Sequence, residues 1–115
     1  MVIVLFEVRV KKDKKEDYLQ RANMLKKELE NYDGFISAER FSSLSNEGKL
    51  LSMSVWQDEE SVTKCRNNAM HRSSQKFGRQ DYFGDYKITV ATPNRIYTIN
   101  DRKNAPIDSN KYFKI

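Results

Sequence analysis

Val2, Val4, Phe6, Val8 and Val10 alternate with Ile3, Leu5, Glu7 and Arg9 at the start of the chain. A two-residue period is that of a β-strand, whose side chains point alternately to opposite faces. The even positions are all apolar and predict a face packed on helices. The odd positions are apolar at first and charged at the end, so the second face needs a cover of its own. Tyr18, Ala22, Leu25, Leu29 and Tyr32 then recur at steps of four and three, which predicts a helix over residues 14–31. Asp13 and Glu16 have the spacing of a capping box. Asp33-Gly34 is the expected stop, because glycine accepts the left-handed backbone that ends many helices.

Residues 35–44 and 49–57 read as two further strands around the turn-forming Ser45-Asn46-Glu47-Gly48, hence an antiparallel hairpin. Leu51, Met53 and Val55 fall on one face of the third strand, and Leu50, Ser52, Ser54 and Trp56 on the other. Asp58-Glu59-Glu60 marks a helix start, with acids at the positive end of the dipole. Val62, Cys65, Ala69 and Met70 supply its inward face. A second helical piece is expected over His71–Phe77, stopping at Gly78. Tyr86, Ile88 and Val90 alternate as a fourth strand. Pro93 has no N–H to donate and predicts a break there, with extended character returning over Arg95–Ile99. The order β-α-β-β-α-β is the ferredoxin-like pattern of an α+β fold, one antiparallel sheet with its helices on one face. A second copy of the chain is the economical cover for the other face. One domain over residues 1–99 and a polar extension over residues 100–115 are expected, the extension packing on the partner subunit or over a pocket mouth.

Composition narrows the options. Apolar residues make up 38% and charged residues 32% of the 115 positions, as in a soluble globular domain. No apolar run is long enough to span a membrane, and the opening strand lacks the basic flank and cleavage site of a signal peptide. The 21 basic residues exceed the 16 acidic ones, giving a formal charge of +5. The excess is interspersed, as in Lys11-Lys12-Asp13-Lys14-Lys15-Glu16-Asp17, which argues against a nucleic-acid-binding face. One cysteine, Cys65, permits no intrachain disulfide and suits a reducing cytoplasm. One histidine, His71, rules out a multi-histidine metal site within a single chain. No phosphate loop, dinucleotide fingerprint, paired CxxC or nucleophile elbow is present.

Several segments, taken in order, resemble the antibiotic biosynthesis monooxygenase domain family of the dimeric α+β barrel superfamily. They are Gly34-Phe35, Ser54-Val55-Trp56, Asp58-Glu59-Glu60-Ser61 and His71-Arg72-x-x-Gln75-x-x-Gly78-Arg79. Tyr86, Val90-Ala91, Arg95 and Tyr97 follow. The Arg102-x-x-Ala105-Pro106-x-Asp108-Ser109 tail resembles a subgroup of short bacterial members. The resemblance implies a homodimer whose two sheets face each other as a barrel, with a pocket between sheet and helices in each subunit. It also implies oxygenation of small electron-rich aromatic or quinol-like substrates with no metal, flavin or other bound cofactor. Fold likeness alone does not establish activity. Relatives that degrade heme use an Asn, a Trp and a His. With Val55-Trp56 as the anchor, these fall near Glu7 or Val8, at Cys65 and at Gln75, so that route is not supported. A tryptophan that the family often carries is likewise replaced by Cys65.

Cofactor-free oxygenation needs a substrate that loses a proton, so that its anion can donate an electron to oxygen in a water-poor pocket. His71 suits the base near neutral pH, or it bridges two helical pieces at the surface. Trp56 can wall an aromatic pocket, or it anchors the core or the dimer seam. Arg66 and Arg79 can hold an anionic oxygen, or they form salt bridges. Tyr82 and Tyr86 can donate to substrate, or they pack with wet hydroxyls. Cys65 is expected to face inward as an inert thiol that lines the pocket. His71, Tyr86 and Arg79 are thus the catalytic candidates. Trp56, Cys65, Arg66 and Tyr82 are the substrate-binding ones. The alternatives are a ligand-binding or stress-related dimer without catalysis, and a heme binder with an unusual ligand set.

Overall fold

A computed structural model describes residues 1–67 and 83–115, with Phe83 described by its backbone alone. Strand β1 runs over Val2–Val10, helix α1 over Lys15–Leu29, β2 over Phe35–Ser42 and β3 over Lys49–Trp56. Helix α2 spans Glu59–Arg66, β4 spans Phe83–Ala91, and α3 spans Ile107–Phe113. The strands form one four-stranded antiparallel sheet in the order β2-β3-β1-β4. This is the ferredoxin-like α+β architecture that the alternation of elements predicts. Ala69, Met70, His71, Gln75, Gly78, Arg79 and Tyr82 lie outside the described residues, as does the helical piece expected at His71–Phe77.

The even face of β1 packs toward α1. Val8 is 1% exposed and forms the core with Leu50 and Tyr18, while Phe6, Val10, Leu19, Ala22 and Tyr86 pack around it. Register explains which residues share this face: Val2 pairs with Trp56, Val4 with Ser54, Phe6 with Ser52 and Val8 with Leu50. On the other side of β1, Val4 pairs with Val90, Phe6 with Ile88 and Val8 with Tyr86. The odd face carries Ile3, Leu5, Leu51, Met53 and Val55, all half-buried, and is helix-free among the described residues. At its charged end Glu7 bridges two lysines on the flanking strands, Lys49 Nζ at 2.9 Å and Lys87 Nζ at 3.6 Å.

Three details depart from the sequence reading. Asp13 does not cap α1: Lys12–Lys14 form a 3-10 turn, and α1 begins without a side-chain cap. The backbone at Asp13 is already wound, so its carboxylate does not occupy the extended position from which a cap reaches forward. The sheet ladder does not resume after Pro93. β4 ends at Ala91, and Thr98 and Asp101 close a turn instead, Thr98 N–H donating to the Asp101 carbonyl at 2.8 Å. The segment after residue 100 contains helix α3, entered from Pro106, where a polar extension was expected.

Candidate functional site

The turn from β3 into α2 is built around Gly34. This glycine ends the α1–β2 connection at φ +86°, and its carbonyl accepts from Gln57 N–H at 2.7 Å. A Cβ placed there would meet Ser61 Oγ at 2.0 Å and Ser61 Cβ at 2.7 Å. Ser61 is itself held by Asp58, whose Oδ1 accepts from the Ser61 backbone N–H at 2.9 Å and from its hydroxyl at 2.8 Å. Those two bonds, the backbone one first, hold the Asp58 carboxyl below its ordinary range. Gly34 and Asp58–Ser61, two separate segments in sequence, thus make one packed joint that sets where α2 leaves the sheet.

Trp56 sits beside that joint, 3% exposed at the end of β3. Phe35 meets its ring edge-on at 5.4 Å and 72°. The indole Nε1–H donates to Ser54 Oγ at 2.9 Å, which satisfies its one donor within its own strand. Cys65 lies one helical turn beyond Ser61 on α2, 3% exposed. Burial pushes its thiol up to about 11, so the sulfur is neutral at physiological pH and is no nucleophile. Arg66 follows on the last turn, exposed, its Nη2 donating to Thr63 Oγ1 at 3.5 Å. Its described bond is local to α2.

Tyr86 lies elsewhere. It pairs with Val8, whereas Trp56 pairs with Val2. Six residues of strand separate those positions, roughly 20 Å at about 3.3 Å per residue. Tyr86 packs against Phe6, ring centroids 5.9 Å apart, at the Val8 end of the core. Tyr86 and Trp56, both site candidates by residue type, therefore stand at opposite ends of the sheet. Alternation put both on the helix side of the sheet, but only register shows that they occupy opposite ends. His71, Arg79 and Tyr82 lie outside the described residues.

Between the two filled ends lies a stretch of floor with less cover among the described residues. Val4 and Phe6 on β1, Ser52 and Ser54 on β3, and Ala38 on β2 are half-buried, while Ile88 and Val90 on β4 are 55% and 48% exposed. An apolar surface with two hydroxyls suits a small, mostly apolar molecule bearing an oxygen or two. Arg40 borders it on β2, paired opposite Ser52, and its Nη2 donates to Asn23 Oδ1 on α1. Its charge opposes the upward push that burial gives the Tyr18 hydroxyl. The alternation of serines with Trp56 on β3 was visible in sequence. The contributions of Ala38, Arg40 and Ile88 were not, because they come from strands whose pairing sequence spacing does not give. Among the described residues, no three His, Cys, Asp or Glu side chains gather in a way that could hold a metal ion.

This is a ferredoxin-like α+β domain. More narrowly, the chain belongs to the antibiotic biosynthesis monooxygenase family, whose model matches residues 1–76. It is 41% identical over 90 residues to the jasmonate monooxygenase ABM of Pyricularia oryzae, an alignment that takes in 78% of this chain and 42% of that protein. The chain therefore spans less than half the length of that curated relative. Among solved structures, Rv0793 from Mycobacterium tuberculosis superposes with a TM-score of 0.75 at 13% identity, covering 84% of this chain and 98% of that one. SnoaB, a cofactor-independent oxygenase from Streptomyces nogalater, gives 0.72 at 10% identity, covering 83% and 94%. At such identities the structural likeness speaks for the fold alone. No helix among the described residues is long and apolar enough to cross a membrane.

Proposed function

We propose that the protein is a cofactor-independent monooxygenase of a small aromatic or quinol-like compound, acting in the cytoplasm as a homodimer. The observation that carries the proposal is the 41% identity to a monooxygenase within a family of that name. The half-open floor of Val4, Phe6, Ser52, Ser54, Ile88 and Val90, closed at one end by Trp56, supports it as a place where such a compound lies flat on apolar surface. A substrate with an acidic C–H flanked by phenol rings supplies its own electrons. Loss of a proton gives a carbanion that transfers an electron to O2, the two recombine, and the methylene leaves as a carbonyl while the second oxygen becomes water. One O2 is consumed per CH2 converted to C=O, with no external reductant. In this reading His71, the one histidine of the chain, takes the proton, and Arg79 and Tyr82 orient the anion. Tyr86 is assigned to packing, given its place at the far end of the sheet.

The name of the fungal relative favours a second substrate class, a small cyclic ketone acid of the jasmonate kind. Hydroxylating a saturated carbon with O2 requires two further electrons, so that reaction needs an added reductant where the first does not. Oxygen uptake with a panel of anthrones and hydroquinones, and with jasmonate in the presence and absence of NADPH, separates the two. Uptake no faster than each compound's own autoxidation, across the whole panel, would sink both.

A further inference from the structure

Register sorts the helix side of the sheet into transverse rows. One row runs Ile88, Phe6, Ser52, Arg40 from β4 to β2, and the next runs Val90, Val4, Ser54, Ala38. Both rows change character in the same direction, from two apolar residues to a hydroxyl to the outer strand. On that outer strand they differ, since Ala38 is small and Arg40 carries a charge. Of the helix-side positions that the strand pairings define, Arg40 alone is charged. Adjacent strands lie about 4.8 Å apart, so three steps put the backbone of Arg40 roughly 14 Å from that of Ile88.

The arginine is turned toward the helices. Its Nη2 donates to Asn23 Oδ1 on α1, and its charge acts on the hydroxyl of Tyr18, a core residue of the same helix. Arg40 is half-buried. Asn23 is neutral, and among the described residues no carboxylate forms an ion pair with Arg40. A guanidinium presents about five N–H donors in a rigid fork, and the bond to Asn23 uses one of them. Packing alone would be served by an apolar side chain, as Phe6 and Ile88 serve it in the same row. A half-buried charge with one neutral partner gains most from an anion on its remaining donors.

We infer that Arg40 is a substrate-binding residue and that the substrate is a small apolar acid whose carboxylate it holds. The molecule lies across the strands. Its carboxylate meets the guanidinium beside β2, its apolar body covers Phe6, Val4, Ile88 and Val90, and Ser52 faces a ketone or phenol oxygen between them. This inference rests on the monooxygenase reading of the same floor and adds a fixed negative charge to either skeleton proposed there. Neutral quinols rank below their carboxylated forms, because their far end leaves the guanidinium with Asn23 alone. A carboxylate suits the site because its two oxygens lie in one plane and match the fork.

Isothermal titration calorimetry under nitrogen tests this, with jasmonic acid beside methyl jasmonate and a carboxylated anthrone beside its methyl ester. The parent should bind the acid of at least one pair roughly tenfold or more tightly than the ester, the margin that charge-assisted hydrogen bonds give. Arg40→Met should abolish that preference and leave the ester's affinity unchanged. Arg40→Lys keeps the charge without the fork and should restore part of the preference. Circular dichroism checks the fold of both variants; should Arg40→Met fail to fold, the acid–ester comparison in the parent and in Arg40→Lys decides. Equal affinity for acid and ester in the parent, or a preference that survives Arg40→Met, overturns the inference. So does a parent that binds no member of either pair. Oxygen uptake is read separately. Arg40-dependent acid binding without uptake of oxygen keeps the anchor and removes the monooxygenase reading, whereas uptake with neutral compounds alone keeps that reading and removes the anchor.

Discussion

The two faces of the sheet come from the same strands, yet they are finished differently. On the helix side Val8, Leu50 and Tyr18 close one end and Trp56 with Val2 the other, leaving the hydroxyl-bearing floor between them. On the helix-free side Ile3, Leu5, Leu51, Met53 and Val55 make a half-buried apolar sheet, and the far end is a charged cluster centred on Glu7. A face covered by its own helices can afford polar gaps, because neighbours on the same chain set how much water enters. The second face has no such cover within the described residues. Apolar at one end and charged at the other, it has the character of an interface with a polar rim. Under the proposed function, ligand chemistry and self-association would lie on opposite sides of one layer of backbone.

Substitutions on the helix side should be the most costly. Trp56→Ala removes the plug at one end of the floor, and a loss of about 3–5 kcal/mol is expected in denaturant unfolding. A loss below about 1 kcal/mol would show that Trp56 is not packed as described. Gly34→Ala should cost about 2–4 kcal/mol, because a left-handed backbone and the Ser61 side chain both oppose the added methyl group. Ser61→Gly should recover part of that loss in the double variant, and strict additivity would argue against the joint. Cys65 should resist a disulfide reagent at about pH 8 and react fully once the chain is unfolded, since its thiol ionises only near 11. Rapid native labelling would mean that α2 opens.

The smallest effect is expected on the helix-free face. Glu7 is held below its ordinary range, first by the hydrogen bond from Lys49 and then by the charges of Lys49 and Lys87. A carboxylate lowered in the folded state contributes stability above its unfolded value, near 4, and that contribution is lost as pH falls through the lower folded value. Asp58 has the same sign. The melting temperature should therefore fall below about pH 4, with less of a fall in Glu7→Gln. At neutral pH that variant should melt within a degree or two of the parent, because ion pairs in contact with water contribute little. An equal acid response in parent and variant would show that Glu7 takes no part in it.

Much of this architecture is local and so was readable along the chain. Alternation at Val2–Val10 marks a strand whichever partner it finds, since successive side chains must point opposite ways. The steps of Tyr18, Ala22, Leu25 and Leu29 likewise mark a helix face, and Pro93 forbids a ladder bond wherever it sits. Asp58 caps α2 as its position foretold, because cap and capped N–H are three residues apart. Other features depend on partners that are distant in sequence. Asp13 carried the same local signal as Asp58 and formed no cap, the backbone having wound one residue earlier. Tyr86 and Trp56 were both site candidates by residue type, and only strand register shows them roughly 20 Å apart. The segment around Arg102 carried no periodic signal, since its order comes from one guanidinium reaching Thr98, Ser109 and Asn110 together. Periodicity and capping chemistry act over three or four residues and are written in the chain itself. Pairing register and side-chain convergence exist only once the backbone has closed, and in this protein they decide which residues stand side by side.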